Sequence, residues 1–297
     1  MKIKHLLHTE INHKQWDCSI QNAANSLIYA ESWYLDIVSP NWEALVSDNY
    51  EYVMPLPVKR KFRVPFLVQP PLTQQLGIFS EHSIDENIVE LFIQKIPYRS
   101  YHLNFNEQNT CRKGIKKSNF ILNLNRDFDT LFSSYSTNTK RNLKKTQQYN
   151  IEIKADLSAA LFLEFYHSNT KKYVELPKEK VDLLLQESLK NNKATIYGVF
   201  NGNGKLISAL WLLHSHQKLI YLLPVSNKEG KENFTMFKIV NEIIRKHTNS
   251  DVVLDFEGSN IKNIARFYAG FGAEIVFYNE VKHWSINDFI NFFCFWK

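Results

Sequence analysis

Val252-Val253-Leu254-Asp255-Phe256-Glu257-Gly258-Ser259 is the stretch on which the reading of this chain turns. Its apolar run reads as a buried strand. The run ends in two carboxylates, Asp255 and Glu257, at positions i and i+2. Strand side chains alternate, so this spacing predicts both carboxylates on one face and Phe256 on the other. Gly258 then turns the chain into a helix-like segment that closes on Phe267-Tyr268-Ala269-Gly270-Phe271-Gly272-Ala273. Charged groups at the end of a core strand, beside a Gly turn, occupy the position of a cleft in an α/β protein. The same residues also suit a helix cap and a solvated turn, so their surroundings decide.

Working back from that strand, Met236 to Arg245 has helical spacing. It is preceded by a polar loop, Ser226-Asn227-Lys228-Glu229-Gly230-Lys231-Glu232-Asn233. Lys218 to Val225, Leu206 to His214 and Lys193 to Phe200 read as strands, with a tight turn at Asn201-Gly202-Asn203-Gly204. His214 and His216 share a face near a strand end with no third ligand nearby, and read as turn residues.

The first third has a similar order. Ala23 to Ile37 reads as a helix. Tyr50 to Val58 and Val64 to Gln69 read as strands, and a proline-containing loop runs from Gln69 to Phe79. Ile84 to Ile96 reads as an amphipathic helix and Ser100 to Asn106 as a strand. Strand, strand, loop, helix, strand thus occurs twice, which points to two related α/β lobes, 1–117 and 118–297, or to a coincidence of alternating elements. Trp16, Trp33, Trp42 and the tail Phe292-Phe293-Cys294-Phe295-Trp296 are expected to pack the first lobe.

Composition narrows the classes. The 297 residues are 44% hydrophobic and 14% aromatic, ample for packed cores. No stretch approaches the roughly 18–20 apolar residues of a membrane helix, and the N-terminus has no signal-peptide run. A cytoplasmic protein is expected. The 3 cysteines (Cys18, Cys111, Cys294) are widely spaced and suit reduced thiols, with no disulfide frame and no metal. The net charge of +6 is concentrated: Arg112 to Lys154 holds ten Lys/Arg against three Asp/Glu, and the rest is close to neutral. Within this segment Asp127 or Asp129 caps one helix, and Thr139 to Tyr149 forms a second. The second helix places Arg141, Lys144 and Lys145 on one side, with Lys140 beside them. Such a face serves solubility or an anionic partner.

Strand, polar Gly-containing loop, helix, strand, then a helix ending in Phe-Gly resembles the GNAT acyltransferase fold. Ser136-x-Asn138-Thr139-Lys140-Arg141-Asn142-Leu143-Lys144-Lys145 with Tyr149-Asn150-Ile151-Glu152-Ile153 resembles the basic helix and following strand of the Fem-type branch, which holds tandem-GNAT peptidyltransferases and related acetyltransferases. Asp255-Phe256-Glu257-Gly258 with Arg266-Phe267-Tyr268 and Phe271-Gly272 resembles that branch's Asp-x-x-Gly and terminal Phe-Gly pattern. The likeness covers about residues 118–278. It implies a mixed α/β fold with two GNAT-like lobes in tandem. The pyrophosphate loop departs from the common pattern, with one glycine, Gly230, between Lys228 and Lys231. The long helical-hairpin arm of some Fem enzymes has no room between Ile151 and Leu189.

The resemblance implies an N-acyltransferase that moves an acyl group, acetyl by expectation, from acyl-CoA to a small-molecule or peptidyl amine. Val225, Asn227, Gly230, Lys231 and Asn233 are the implied donor-binding residues, because a helix N-terminus offers free N–H groups and partial positive charge to phosphates. Asp255 and Glu257 serve as base or hold a cationic amine. Tyr268 protonates the departing thiolate or packs the core. Lys140, Arg141, Lys144 and Lys145 grip phosphate or lie solvated. Two other readings stand beside this one. The first is a Fem-type transferase using charged tRNA on a cell-wall precursor. The second is a scaffold that has kept the fold without catalysis.

Overall fold

The first unit begins with strand β1 (Ile3–Leu6), a 3-10 turn at His8–Glu10 and helix α1 (His13–Asn22). Asn12 starts α1 by accepting a hydrogen bond from the Gln15 N–H at 3.1 Å. Helix α2 (Ser32–Val38) and strands β2 (Glu43–Ser47) and β3 (Val53–Leu56) follow, and β1, β2 and β3 form an antiparallel sheet. Trp16 and Trp42 are fully buried beside it, with ring centroids 4.7 Å apart. Next come β4 (Val58–Lys61), β5 (Val64–Val68), α3 (Glu86–Gln94) and β6 (Tyr101–Phe105). The structure, a computed structural model, describes residues 1–61, 64–170, 177–258 and 261–284. The aromatic tail from Phe292 lies outside the described residues.

Two expectations are corrected here. Tyr50 to Val58 is not one strand: Asn49 and Tyr50 have φ of 55° and 60°, and β3 and β4 belong to different sheets. Pro57 sits at the break, where its missing N–H cannot continue a ladder. Ala23 to Ile37 is not one helix but a 3-10 turn, Ile28–Ala30, leading to α2.

The second unit starts within β7 (Ile115–Asn123), followed by α4 (Phe128–Ser133), α5 (Thr137–Thr146) and β8 (Ile151–Lys154). Asp127 caps α4 and Ser136 caps α5 through their side-chain oxygens. Helices α6 (Ala159–Asn169) and α7 (Lys178–Lys190) fill the stretch expected to lack a long arm. They pack on each other and on the sheet, α6 against β10 (Leu206–Ser215) and α7 against β9 (Ala194–Asn201). The remaining elements are β11 (Lys218–Ser226), α8 (Lys228–Glu232), α9 (Thr235–His247), β12 (Val253–Asp255), α10 (Lys262–Ala269) and β13 (Glu274–His283). In this unit the strand order is β7-β12-β11-β10-β9-β8. Its core gathers Leu210, Leu212, Ile239, Ile243, Leu254 and Phe256 between the sheet and α9.

The two lobes share one topology. In the first, β4 and β5 form an antiparallel hairpin, α3 leads to β6 parallel to β5, and β13 lies antiparallel on β6. In the second, β10 and β11 form the hairpin, α9 leads to β12 parallel to β11, and β7 lies antiparallel on β12. The last strand of each lobe is exchanged: β7, which follows β6 in the chain, completes the second lobe, and β13, which follows β12, completes the first. The chain therefore divides into Met1–Lys117 together with the chain from Phe277, and Ser118–Val276. The fold is mixed α/β with two such lobes in tandem. Among the described residues, no helix is long and apolar enough to cross a membrane.

Candidate functional site

A cleft of about 330 Å³ opens in the second unit where β11 and β12 part. The two strands pair in register only along Lys218–Ile220 against Val253–Asp255. Opposite this point, β11 holds one extra residue: Trp211 faces Leu223 while Leu212 faces Tyr221, so Leu222 is bulged. Beyond Ile220, β11 has no strand partner on that side among the described residues. Tyr221, Pro224 and Ser226 on β11 line the cleft, with Phe234 and Phe237 at the start of α9 and Phe267 and Tyr268 on α10. Five of the twelve lining residues are aromatic, and Lys231 supplies a cation.

The polar loop is ordered as a one-turn helix. Asn227 caps α8 by accepting from the Gly230 N–H at 2.8 Å. The amides of Lys231, Asn233 and Phe234 donate to the carbonyls of Asn227, Glu229 and Lys231. The Gly230, Lys231 and Asn233 amides of the predicted phosphate loop are thus engaged within it, as is the Phe234 amide that follows. Gly230 has a packing reason instead: a Cβ there would collide with the Ile207 carbonyl oxygen and the Ser208 hydroxyl, so only glycine lets α8 approach β10. Helix α9 starts differently. Phe234 takes the left-handed conformation (φ 55°), and no side chain caps the helix. In its first turn the Phe237 N–H donates to the Phe234 carbonyl at 3.0 Å, and the Thr235 and Met236 amides precede it at the helix end where intrahelical acceptors are lacking. The hydroxyls of Ser226, Ser208 and Thr235 form a buried chain, with contacts of 2.6 and 2.5 Å, that ends on the Gly230 carbonyl at 2.9 Å.

Among the predicted donor-binding residues, Gly230 and Lys231 line the cleft. Val225 does not: it is buried, and strand alternation turns it away from the face of Pro224 and Ser226. Asn227 and Asn233 serve as the caps of α8.

The carboxylate pair differs from its expected geometry. Strand β12 ends at Asp255, and Glu257 has φ of 59°, so the alternation that would align the two carboxylates stops before it reaches Glu257. Asp255 is buried. It accepts hydrogen bonds from the Asn119 side-chain amide at 3.0 Å and from the Glu257 N–H at 2.9 Å, and its other oxygen lies 3.4 Å from the Lys218 ammonium. It is the anchor of the turn that leaves β12.

Tyr268 is buried and stacks on Phe256, with ring centroids 4.9 Å apart, while also lining the cleft. Its hydroxyl is pushed well above the ordinary phenol range, first by burial and then by the charges of Glu257 and Asp255. It therefore stays protonated at neutral pH and keeps a proton to donate.

The basic helix splits in two. Lys140 turns back, donating to the Ser133 carbonyl at 2.8 Å, and Arg141 donates to the Asn138 side chain at 2.7 Å. Lys144 is exposed. Lys145 differs: its ammonium lies over the Phe234 ring, 5.1 Å from the centroid, and Phe234 lines the cleft. Lys145 thus brings a cation to the ring at which α9 begins, and Lys231 lines the same cleft. The sequence reading missed Phe234, Phe237 and Tyr221. The unbroken run Asn233-Phe234-Thr235 between two helical pieces was the available signal for the first.

The other candidates resolve locally. His214 lies on β10, its ring nitrogen 3.1 Å from the Thr195 hydroxyl, and burial lowers its basicity, while His216 holds a turn position with φ of 52°. Cys18 and Cys111 are free thiols, and burial pushes the Cys111 thiol up to about 12. Cys294 lies outside the described residues.

With this geometry in view, comparison with known proteins identifies the fold. The chain superposes on the crystal structure of FemX with a TM-score of 0.67 at 9% identity, covering 99% of this chain and 100% of that one. The C-terminal domain (DUF2156) of an Agrobacterium fabrum protein described as a lysylphosphatidylglycerol synthetase matches with a TM-score of 0.57 at 8% identity, covering 95% of this chain and 96% of that one. L-PGS from Bacillus licheniformis matches at 0.53 with 7% identity over 93% and 92%. No family model matches the sequence, and no curated protein matches it. The chain thus shares the fold of FemX and of these two other structures over nearly its whole length.

Proposed function

We propose that the second unit is a transferase that moves an acyl group from an activated donor to an amine. The observation that carries this reading is the parting of β11 from β12 after Ile220, which opens onto a cleft lined by Lys231, the start of α9 and Tyr268. An activated acyl group fits the aromatic throat. The anionic part of its carrier falls to Lys231, Lys145 and the first turn of α9. The amine attacks the acyl carbon, the bond to the leaving sulfur or oxygen breaks, and a proton passes to the leaving atom. Tyr268, held protonated, donates a hydrogen bond to that atom.

Acetyl-CoA is the first donor to test. The engaged amides of Gly230, Lys231, Asn233 and Phe234 favour a second reading, an aminoacyl ester of tRNA, because a CoA pyrophosphate would find few free N–H groups in that loop. The acceptor is a small-molecule or peptidyl amine, and a cytoplasmic setting suits either donor.

Thermal unfolding with excess acetyl-CoA, free CoA and an aminoacylated tRNA acceptor-stem mimic separates the two readings. A bound donor at about 100 times its dissociation constant adds about 2.7 kcal/mol. A shift with acetyl-CoA supports the first reading, and a shift with the mimic alone supports the second. No shift with any donor removes the transferase reading. The Tyr268→Phe variant then locates the acid. It is expected to keep the melting temperature and to lose about 10²-fold or more in turnover, and unchanged turnover returns Tyr268 to a packing role alone.

A further inference from the structure

The first unit carries a second cluster of chemistry, far in sequence from the transferase cleft. One ligand atom each from His8, His13 and Asp36 lies within 4.8 Å of the other two. His8 sits in the 3-10 turn after β1, His13 is the first residue of α1, and Asp36 lies on α2. Three separate elements thus converge on one point.

The groups behind these side chains prepare them to ligate. The Nδ1 of His8 lies 3.2 Å from the Trp42 carbonyl oxygen. A carbonyl only accepts, so Nδ1 must carry the proton, and the neutral ring then presents a bare Nε2 lone pair. That Nε2 lies 3.8 Å from Asp36 Oδ1. The Asp36 carboxylate is itself oriented by the Trp42 indole N–H at 2.8 Å. The His13 ring stacks on the Trp42 ring with centroids 6.0 Å apart, and the two His rings are 5.2 Å apart. Trp42 is fully buried, so one rigid residue positions all three ligands. A hydrogen-bonded imidazole and a hydrogen-bonded carboxylate are the supporting shell expected around metal ligands.

We infer that His8, His13 and Asp36 form a surface site for a divalent transition ion such as Zn²⁺ or Ni²⁺. Two imidazoles and one carboxylate select this class over Mg²⁺ and Ca²⁺, which prefer all-oxygen ligands. Bonds of about 2.0–2.1 Å place tetrahedral ligands roughly 3.4 Å apart. Small side-chain rotations therefore close the present spacing. The His8 and Asp36 side chains are 28% and 41% exposed, which leaves solvent access for entry and for water as a further ligand. The site departs from the sequence expectation of no metal. The bound ion ties the N-terminal turn and α1 to α2, which makes its role a staple of the first unit, independent of acyl transfer.

The test uses the full chain, stripped with chelator and titrated with Co²⁺, Ni²⁺, Zn²⁺ and Mg²⁺. Co²⁺ is expected to give visible absorption at one ion per chain, and Ni²⁺ to quench tryptophan fluorescence through Trp42. Zn²⁺ should raise the unfolding midpoint, and Mg²⁺ should do none of these. His13→Gln and Asp36→Asn are each expected to weaken Zn²⁺ binding about tenfold or more. His5→Gln, whose parent ring is engaged with Glu43 at 2.7 Å, should bind as the parent does. Should His13→Gln fail to fold, Asp36→Asn carries the same test, because it keeps an acceptor for the Trp42 indole. Absence of binding in the parent chain, equal binding by Mg²⁺, or undiminished Zn²⁺ affinity in the folded variants overturns the site.

Discussion

Asp255 and Glu280 show how the meaning of a carboxylate depends on its partners. Asp255 sits at the end of β12 with an ion pair and two hydrogen bonds. Asp255→Ala is therefore expected to destabilise the fold by about 2–4 kcal/mol in denaturant titration, a cost separable from any loss of turnover. Glu280 on β13 lies within 3.1–3.2 Å of His102, Lys117 and Lys282. Burial alone would raise its pKa, but hydrogen bonds from His102, Lys117 and Lys282 hold it down at about 2. A folded value below the unfolded one, near 4.3, contributes stability above that pH and loses it as pH falls towards 2. Acid titration of the unfolding midpoint should show this loss. Glu280→Gln should flatten the profile by about 1–2 kcal/mol between pH 5 and 2, allowing for solvent screening.

At the scale of elements, α5, α8 and α9 meet at Phe234, the residue that separates the two helical pieces. The Lys145 ammonium reaches its ring from α5, and Lys231 on α8 lines the same cleft. The double variant Lys145→Ala with Lys231→Ala is expected to weaken binding of an anionic donor about tenfold or more, with the loss greatest at low salt. Lys144→Ala, an exposed neighbour on the same helix, should have little effect. Equal behaviour of the two variants in a salt series would assign the whole basic face to solvation. Periodicity alone could not make this distinction, because Lys144 and Lys145 are adjacent and only one lies over the ring.

For the whole molecule, strand exchange makes each lobe depend on a segment distant in the chain. β13 pairs with β6 along Asn279–His283. A chain ending before Glu274 is therefore expected to expose the edge of β6 and to unfold the first unit, with limited proteolysis cutting within residues 1–117 first. Survival of that unit would show that β13 adds little to it. Much of this architecture is legible in the sequence. The hairpin at Asn201–Gly204, the amphipathic α3 and the order strand, strand, helix, strand are written in turn residues and periodicity, which are local signals. The repeat of that order in both halves was legible for the same reason. The exchange of β7 and β13 was not, since pairing between distant strands leaves no local trace. Within the site, the resemblance read from the sequence pointed to Gly230, Lys231 and Tyr268, and all three line the cleft. That Asp255 anchors a turn, that Glu257 leaves the strand, that the loop amides are engaged, and that His8, His13 and Asp36 converge on Trp42 emerges only from the folded chain. These outcomes rest on backbone conformation at single residues and on side chains brought together from separate elements, which no spacing along the chain encodes.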